Sequence, residues 1–231
     1  MEPTPAERAW LDTFEELRNS PDVELEMETL EFAKGEPPDA DTAFGTLAEH
    51  DGVVLDPSLQ RCYLRFAGMG ASWGAGMTDE DEDPLFGGDF YVIPLLQAIR
   101  DTAPIDRYPL ASPEERPFIS ELRDIDVTSV SGAGMVTSLR IRPGASHNPE
   151  VWFSDTARGL YKLDVDLCGY LDALRITKGT LGWQYLFADV SLTDDRFEVT
   201  ARFLTTMLQV FPDLFPAHDY TQLRTRLEER L

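Results

Sequence analysis

The chain has little positive charge. Of its 231 residues, 20 are Lys or Arg and 42 are Asp or Glu, which gives a formal net charge of -22. Because most of such a surface would repel nucleic-acid phosphates, we expect no nucleic-acid partner. The imbalance is one-sided: residues 1–129 hold 29 acidic and 9 basic residues, whereas residues 130–231 hold 13 and 11. This favours rapid encounter with a basic protein, and acidity that serves solubility alone is the open alternative.

The sequence is also poor in cysteine and lacks long apolar runs. Its two cysteines, Cys62 and Cys168, lie in apolar patterns, which predicts buried free thiols in a reducing compartment. No stretch approaches the roughly 20 apolar residues of a membrane helix. The start, MEPTPAERAW, has neither the basic nor the apolar region of a signal peptide. We expect a soluble, cytoplasmic protein with no membrane partner, and nothing in the pattern indicates an oligomeric state.

Histidine is scarce, and its spacing predicts no metal site. His50, His147 and His218 fall in loop-like text, without a second ligand at i+4 or a C-x-x-C pair. The phosphate-binding pattern G-x-x-x-x-G-K-[ST] does not occur in the sequence. We therefore expect no bound metal and no cofactor.

One segment, TDEDEDPLFGGDF at residues 78–90, is densely acidic. Its five consecutive acids are Asp79, Glu80, Asp81, Glu82 and Asp83. An EF-hand loop would need Gly at its sixth position and Glu at its twelfth, where this segment has Pro84 and Phe90. The run instead predicts a solvated acidic loop. With an exposed Trp73 beside it as an apolar anchor, this loop is a candidate contact surface for a basic partner.

The sequence contains one pattern that is typical of catalysis. Residues 70–74, GASWG, match the G-x-S-x-G motif, with Ser72 as the nucleophile. A serine hydrolase needs a strand before this serine and a helix after it. Here a helical pattern comes before it, and a Gly-rich acidic stretch follows. We therefore predict that the protein is not an enzyme, and a hydrolase that uses Ser72 is the competing hypothesis.

The N-terminal third predicts a helix and then a strand. Residues 4–7, TPAE, have the sequence of a capping box with Pro at the first helical position, which starts a helix that ends near residue 19. In PDVELEMETL, apolar residues alternate with Glu24, Glu26 and Glu28, which predicts a half-buried strand whose outer face is wholly acidic. These glutamates are the second candidate contact surface, and keeping an edge strand soluble is the alternative role.

The following segments predict a loop, a helix, a sheet and further helices. Residues 33–52 are rich in Gly, Pro and Asp and predict a loop, and residues 57–67 predict a helix that stops at Gly68. Strands are expected near residues 90–95, 118–127, 135–142 and 150–163, with helices at 166–178, 193–211 and 219–231. Helices before and after a run of strands predict an α+β fold, a mainly antiparallel sheet packed by helices with additional C-terminal helices. We expect a single domain, 1–231.

An aromatic cluster, GTLGWQYLFADV, follows the helix that ends at Gly179. Trp183, Leu186 and Phe187 are spaced at i, i+3 and i+4, so they predict a helical turn with an apolar face. Tyr185 lies off this stripe, where it could be exposed. Aromatic residues at helical spacing between capped helices are usually core, so we interpret the cluster as structural.

Three segments resemble the SUKH superfamily. LDPSLQRCYLRFAGMG (55–70) is similar to its L-P-x-x-L-x-x-F/Y-x-x-x-N-G-G segment, FYVIPLLQAIRD (90–101) to its short strand and helix, and 151–174 to its closing strand, D-x-x-x-G turn, strand and helix. The matching residues are Asp56, Pro57, Leu59, Tyr63, Phe66 and Gly68, and then Asp155, Gly159, Leu163, Leu167, Tyr170 and Leu171. The Asn of the N-G-G turn is missing, and the helices after residue 180 are additional.

The resemblance covers about residues 50–178 and implies an α+β fold without shared catalytic residues. For bacterial members it implies an immunity protein that binds and neutralises a cognate toxin, and other members are protein-interaction regulators. We therefore expect a non-catalytic domain that binds a basic toxin, for which a nuclease is the natural class because clustered carboxylates mimic phosphate. A regulator of the same fold is the alternative.

Overall fold

The computed structural model describes residues 2–32, 35, 37–75, 86–128, 130–142, 144 and 146–231. The helices are α1 (Pro5–Asn19), α2 (Ala40–Thr46), α3 (Leu95–Arg100), α4 (Arg116–Ser120), α5 (Leu167–Thr177), α6 (Glu198–Leu214) and α7 (Thr221–Glu228). The strands are β1 (Val23–Phe32), β2 (Val54–Leu55), β3 (Phe66–Ala75), β4 (Phe86–Val92), β5 (Leu122–Val127), β6 (Met135–Arg140), β7 (Ser146–His147), β8 (Glu150–Asp155) and β9 (Gly159–Lys162). Short 3₁₀ turns cover Pro57–Cys62, Ile105–Arg107, Trp183–Leu186 and Asp195–Phe197, and a π-type turn covers Leu47–Asp51.

Seven of these strands form one antiparallel sheet in the order β1-β3-β4-β5-β6-β8-β9. The strands omitted from this order, β2 and β7, form a small parallel pair. The seven strands of the large sheet are neighbours in space in the same order as they occur along the chain. This arrangement is a meander, which short strands separated by turns predict. The predicted α+β class with a mainly antiparallel sheet is confirmed.

One face of the sheet, the inner face, carries the core. The ring of Phe14 in α1 lies 6.2 Å from that of Phe90 in β4, and Phe211 in α6 lies 6.0 Å from Trp73 in β3. The hydroxyl of Tyr170 in α5 reaches this face as well. A single cluster of buried apolar side chains joins α1, the sheet and the C-terminal helices, so no second core begins near residue 130 in the part of the chain that the structure describes.

The opposite face, the outer face, is covered in part by residues 103–120. Phe118 in α4 packs edge-on against Trp152 in β8, with ring centroids 4.7 Å apart. Arg107 donates to the carboxylate of Asp124 in β5 at 3.0 Å, and Ser138 in β6 donates to the same carboxylate at 2.7 Å. The site described below lies on this face.

The prediction of a helix at residues 57–67 is wrong. Only the 3₁₀ turn Pro57–Cys62 forms, and β3 begins at Phe66. Gly68 and Gly70 occupy alternate positions of β3 and therefore lie on the same face. The ring of Tyr91 in β4 packs against them, since a Cβ on Gly70 would lie 2.9 Å from this ring. Pairing with β1 on one side and β4 on the other overrides the local helical spacing.

The predicted loop at residues 33–52 is also wrong in part. Asp39 accepts a hydrogen bond from the Thr42 backbone N–H and caps α2, which continues into the π-type turn Leu47–Asp51. Its apolar face is short, and the surrounding Gly and Pro hide it from a reading based on composition. In contrast, the capping box at Thr4 and Glu7 forms as predicted.

The aromatic cluster after α5 is buried, as predicted. Trp183, Leu186 and Phe187 belong to the common core. Tyr185 is buried too, because its hydroxyl donates to the carboxylate of Asp155 at 2.6 Å. Burial raises the pKa of Tyr185, and the hydrogen bond to Asp155 adds to this rise. The cluster is structural, and it joins the 3₁₀ turn Trp183–Leu186 to the end of β8.

The two cysteines form a disulfide, which corrects the prediction of free thiols. The Cys62–Cys168 bond ties the 3₁₀ turn Pro57–Cys62 to α5 across a sequence separation of 106 residues. Tertiary packing brings these two segments together, so the sequence pattern does not show the pair. Disulfides are typical of oxidising compartments. The two cysteines therefore do not indicate a reducing compartment, and the cytoplasmic location stays a prediction without their support.

We expect reduction of the disulfide to destabilise the fold. A cross-link that closes a loop of this length removes about 3–5 kcal/mol of chain entropy from the unfolded state. Urea unfolding with and without dithiothreitol would measure the difference, and the Cys62→Ser/Cys168→Ser variant should not respond to the reductant. An unchanged midpoint for the oxidised and the reduced wild-type chain would contradict the expectation.

Candidate functional site

β1 lies at an edge of the sheet. Nine of its ten residues have register partners in β3, and no other described strand pairs with its opposite side. Such an edge presents backbone N–H and C=O groups to an approaching strand. Three exposed glutamates of β1, Glu24, Glu26 and Glu31, form what we call the acidic edge. Phe32, whose side chain is 62 % exposed, follows them at the end of the strand.

A bulge in β1 separates the three glutamates that were predicted to share a face. The register with β3 shifts at Glu26, so the alternation of side chains reverses after this residue. Glu28 turns to the inner face, where Arg18 of α1 donates two hydrogen bonds to its carboxylate. Glu24, Glu26 and Glu31 lie on the outer face. The prediction of one acidic row that includes Glu28 is therefore wrong, and Glu31 takes its place.

Trp73, predicted as an exposed anchor, is buried. Its side chain is 2 % exposed, and the indole Nε1 donates to the carbonyl oxygen of Lys178 at 2.6 Å. Its place opposite Leu25 in the register puts the ring on the inner face, under α6. The neighbouring acids suggested solvent, whereas β3 runs beneath the C-terminal helices. Trp73 is not part of a contact surface.

Ser72 does not have the surroundings of a hydrolase nucleophile. It lies inside β3 instead of on a turn between a strand and a helix, and its side chain is buried. Its hydroxyl donates to the carboxylate of Glu26 at 3.0 Å. The structure therefore brings Ser72 to the acidic edge, where it holds one carboxylate in place.

The acidic loop at residues 79–83 lies outside the described residues, so its role as a contact surface stays a prediction. Among the residues that the structure does describe, no three His, Cys, Asp or Glu side chains come together as a metal site requires.

A buried lysine connects α1, the sheet and the C-terminal helices. Lys178 ends α5 in the left-handed conformation, with φ 53° and no exposed surface. Its Nζ donates to Glu16 of α1 at 2.6 Å and to the Arg175 carbonyl oxygen at 3.1 Å. His218 Nε2 lies 3.1 Å from this Nζ and 2.8 Å from the Glu16 carboxylate. Together with Phe215, whose ring lies under the ammonium, these groups form the lysine cluster.

The charges of the lysine cluster shift each other's titration. Burial lowers the pKa of Lys178 to about 8, although the hydrogen bond with Glu16 acts in the opposite direction. Burial also raises the pKa of Glu16, but hydrogen bonds with His218 and Lys178 outweigh it and bring the pKa to about 2. At neutral pH the two groups form an ion pair. Because Lys178 has no access to solvent, its role is structural.

We expect the Lys178→Met variant to lose about 3 kcal/mol of unfolding free energy, because it removes one partner of a buried ion pair. Lys162→Met is the matched control: its ammonium is 55 % exposed and pairs with Glu150 at 2.8 Å, so its loss should stay below about 1 kcal/mol. Chemical denaturation at pH 7 measures both values. Equal losses in the two variants would contradict the role given to the lysine cluster.

A second buried polar group lies where α5 meets the sheet. Asp126 of β5 accepts hydrogen bonds from the Tyr170 hydroxyl at 2.7 Å and from the Tyr91 backbone N–H at 3.1 Å. Thr137 of β6 completes the group, 2.8 Å from the same hydroxyl. Burial raises the pKa of Asp126 to about 7, with a further contribution from the charge of Asp89, while the hydrogen bonds from Tyr170 and Tyr91 lower it.

This raised pKa makes stability depend on pH in a defined direction. Between the ordinary aspartate pKa and about 7, the folded chain keeps a proton on Asp126 that the unfolded chain releases, so the unfolding free energy falls as the pH rises. Asp126→Asn removes this dependence, and its unfolding free energy relative to wild type should increase by up to about 4 kcal/mol from pH 4 to pH 8.

Urea unfolding across this pH range would measure the effect. Asp172→Asn, at a carboxylate that is 71 % exposed, is the control, and it should follow wild type at each pH. A constant difference between Asp126→Asn and wild type over the range would show that Asp126 is charged throughout, contrary to the expectation.

Sequence reasoning missed several of these residues. Lys178 marked only a helix end beside Gly179, and Asp126 was one acid among many. Glu31 lies just beyond the stretch PDVELEMETL, and strict alternation would put it on the inner face, since a bulge leaves no signal in a single sequence. A buried lysine becomes visible only when the helices that contribute Glu16 and His218 are placed in three dimensions.

The candidate site is therefore the acidic edge of β1, on the outer face of the sheet. Across the described ranges, no helix has the length and apolar character that crossing a membrane requires. Comparisons of the chain with protein-family models, with curated proteins and with solved structures found no match in any of the three.

Proposed function

We propose that the chain is a non-catalytic protein-binding domain that serves as an immunity protein and neutralises a basic cognate toxin. The observation that carries this proposal is the acidic edge: Glu24, Glu26 and Glu31 are exposed along a ten-residue strand at the edge of the sheet. A basic segment laid along β1 would meet backbone hydrogen-bonding groups and three carboxylates together.

The charge distribution supports a basic partner. Residues 1–129, which include β1, carry 29 acidic against 9 basic residues, so the field around this half of the chain attracts cations over a distance. A toxin that acts on nucleic acid has a cationic groove, and a row of carboxylates occupies such a groove in place of phosphates. The toxin partner itself is suggested by the resemblance to the SUKH superfamily.

The competing hydrolase receives no support from the geometry of Ser72. A nucleophile must be accessible and hydrogen-bonded to a base such as histidine. Ser72 is buried in the middle of a strand, and its hydroxyl donates to a carboxylate on the neighbouring strand. A protein-interaction regulator remains the second candidate, because the acidic edge specifies a basic partner but not that this partner is a toxin.

Co-expression with the product of the neighbouring gene tests the toxin proposal. If that gene encodes a multi-domain toxin, we expect this chain to restore growth and to co-purify with the toxin domain. Co-purification without rescue would favour the regulator, and the absence of both would contradict the immunity proposal.

The acidic edge is tested by the Glu24→Gln/Glu26→Gln variant of the same complex. Loss of two edge charges should slow association with the toxin domain several-fold and flatten its dependence on salt concentration, both measured by stopped-flow fluorescence. The matched control is Asp213→Asn/Glu228→Gln, which removes two exposed charges from α6 and α7. If both variants slow association equally, the effect belongs to net charge and the acidic edge is not the contact surface.

A further inference from the structure

A cleft lies on the outer face at the other end of the sheet from β1. It has a volume of ≈ 420 Å³ and is formed between the end of β8, the turn into β9 and the segment that covers β5. Its walls are mainly apolar, with contributions from Leu110, Phe118, Ile119 and Leu160. We call it the outer cleft. Its size and lining are typical of sites that take a small ligand or a few side chains.

The lining of the outer cleft contains two hydroxyl groups without a hydrogen-bond partner among the described residues, those of Tyr108 and Ser154. Ser154 of β8 lines the cleft and is 3 % exposed, and its hydroxyl makes no hydrogen bond with any residue that the structure describes. Ser154 pairs with Leu160 of β9, and both stand on the outer face, because the neighbouring Phe153 packs against Tyr185 on the inner face. A polar atom of a ligand would satisfy this hydroxyl.

The walls of the outer cleft are held rigidly. Phe118 lies between Trp152, at a centroid distance of 4.7 Å, and the guanidinium of Arg140, also at 4.7 Å. Arg107 is held by Asp124. The cleft is thus already formed in the free chain, which lowers the cost of binding.

The rim of the outer cleft is acidic, and its apolar surface reaches solvent. Glu115 lines the cleft, and Asp106 and Glu114 are exposed near it on the covering segment, where Arg116 is the exposed basic residue. Arg107 also lines the cleft, but its charge is paired with Asp124. The side chain of Leu110, at the edge of the cleft, is 95 % exposed. An apolar slot surrounded by negative charge is complementary to an apolar side chain between basic residues.

We propose that the outer cleft is a second docking site, and that it binds an apolar side chain flanked by lysine or arginine in a segment of the partner protein. The apolar side chain packs on Phe118, Ile119 and Leu160, and the adjacent main chain bonds to the Ser154 hydroxyl. The flanking cations face Asp106 and Glu115. The identity of the occupant as a basic protein rests on the proposed function, but the cleft can be tested without that protein.

The test uses three synthetic peptides and the complete chain labelled with ¹⁵N. The first is acetyl-Lys-Lys-Leu-Lys-Lys-amide, the second has Gly in place of Leu, and the third has Ser in place of each Lys. We expect the first peptide to shift the amide resonances of Ala111, Ser154 and Gly159 in a saturable way. Replacing Leu by Gly should weaken binding about tenfold, because the apolar burial is lost. Replacing the lysines should weaken it several-fold at low salt.

Two variants of similar bulk show where the peptide binds. Ala111→Phe fills the outer cleft and should weaken binding of the leucine peptide at least tenfold, whereas Ala157→Phe, on the exposed turn outside the lining, should leave it unchanged. Thermal unfolding of both variants establishes that they are folded. The Glu24→Gln/Glu26→Gln variant should bind the leucine peptide as wild type does, which separates the outer cleft from the acidic edge.

Four outcomes would overturn the inference. Equal binding of the Leu and Gly peptides would mean that charge alone attracts them. Equal binding of the Lys and Ser peptides would mean that the cleft is an apolar site without a preference for basic residues. The other two outcomes are resonance shifts confined to β1 and the absence of any shift. Failure of the acidic edge with toxin, together with specific binding of the leucine peptide, would leave the outer cleft in place and remove only the proposed function.

Discussion

The arrangement of the helices depends on the buried ammonium of Lys178. It sits where the end of α5, the connection between α6 and α7, and α1 converge, and each of these segments supplies it with an acceptor or a ring. The carbonyl oxygen of the same residue accepts the indole N–H of Trp73 from β3. One residue thereby joins three helical regions to the sheet, and its charge would be costly in this position without Glu16.

The packing of β3 follows from the same junction. A Cβ on Gly88 of β4 would lie 2.5 Å from the Trp73 indole and 2.6 Å from the Lys178 carbonyl oxygen, so only glycine fits there. On the outer face, glycines of β3 provide a smooth surface for Tyr91, since a Cβ on Gly68 would collide with the Tyr91 hydroxyl. The glycines of the segment that matches the G-x-S-x-G motif are explained by close approach of chain segments.

The parts of the fold that depend on local signals could be predicted from the sequence. The capping box at Thr4 and Glu7, the meander of β5, β6, β8 and β9, and the burial of Trp183 each follow from spacing over a few residues. The parts that depend on distant partners could not. Whether residues 57–67 form a helix is decided by pairing of β3 with β1 and β4, and whether Cys62 is a thiol is decided by the position of α5. For the site, the exposure of Glu24 and Glu26 could be predicted. The bulge in β1 turns Glu28 to the inner face and Glu31 to the outer face, which could not be predicted.

The inner face of the sheet forms the core, and the outer face carries both candidate contact surfaces. The inner face is occupied by α1, α5 and α6, so any partner that binds the sheet must use the outer face or an edge. The acidic edge and the outer cleft both lie there, separated by five strand spacings, or about 24 Å. A globular partner of ordinary size can cover both at once. Contact at two separated points would fix the orientation of the proposed partner, which charge alone does not do.

The same glutamates also act against pairing of β1 with a second copy of the chain, because like charges would face each other along the strand. Among the described strands only β3 pairs with β1, so the other side of β1 is the side that our proposal assigns to a basic segment.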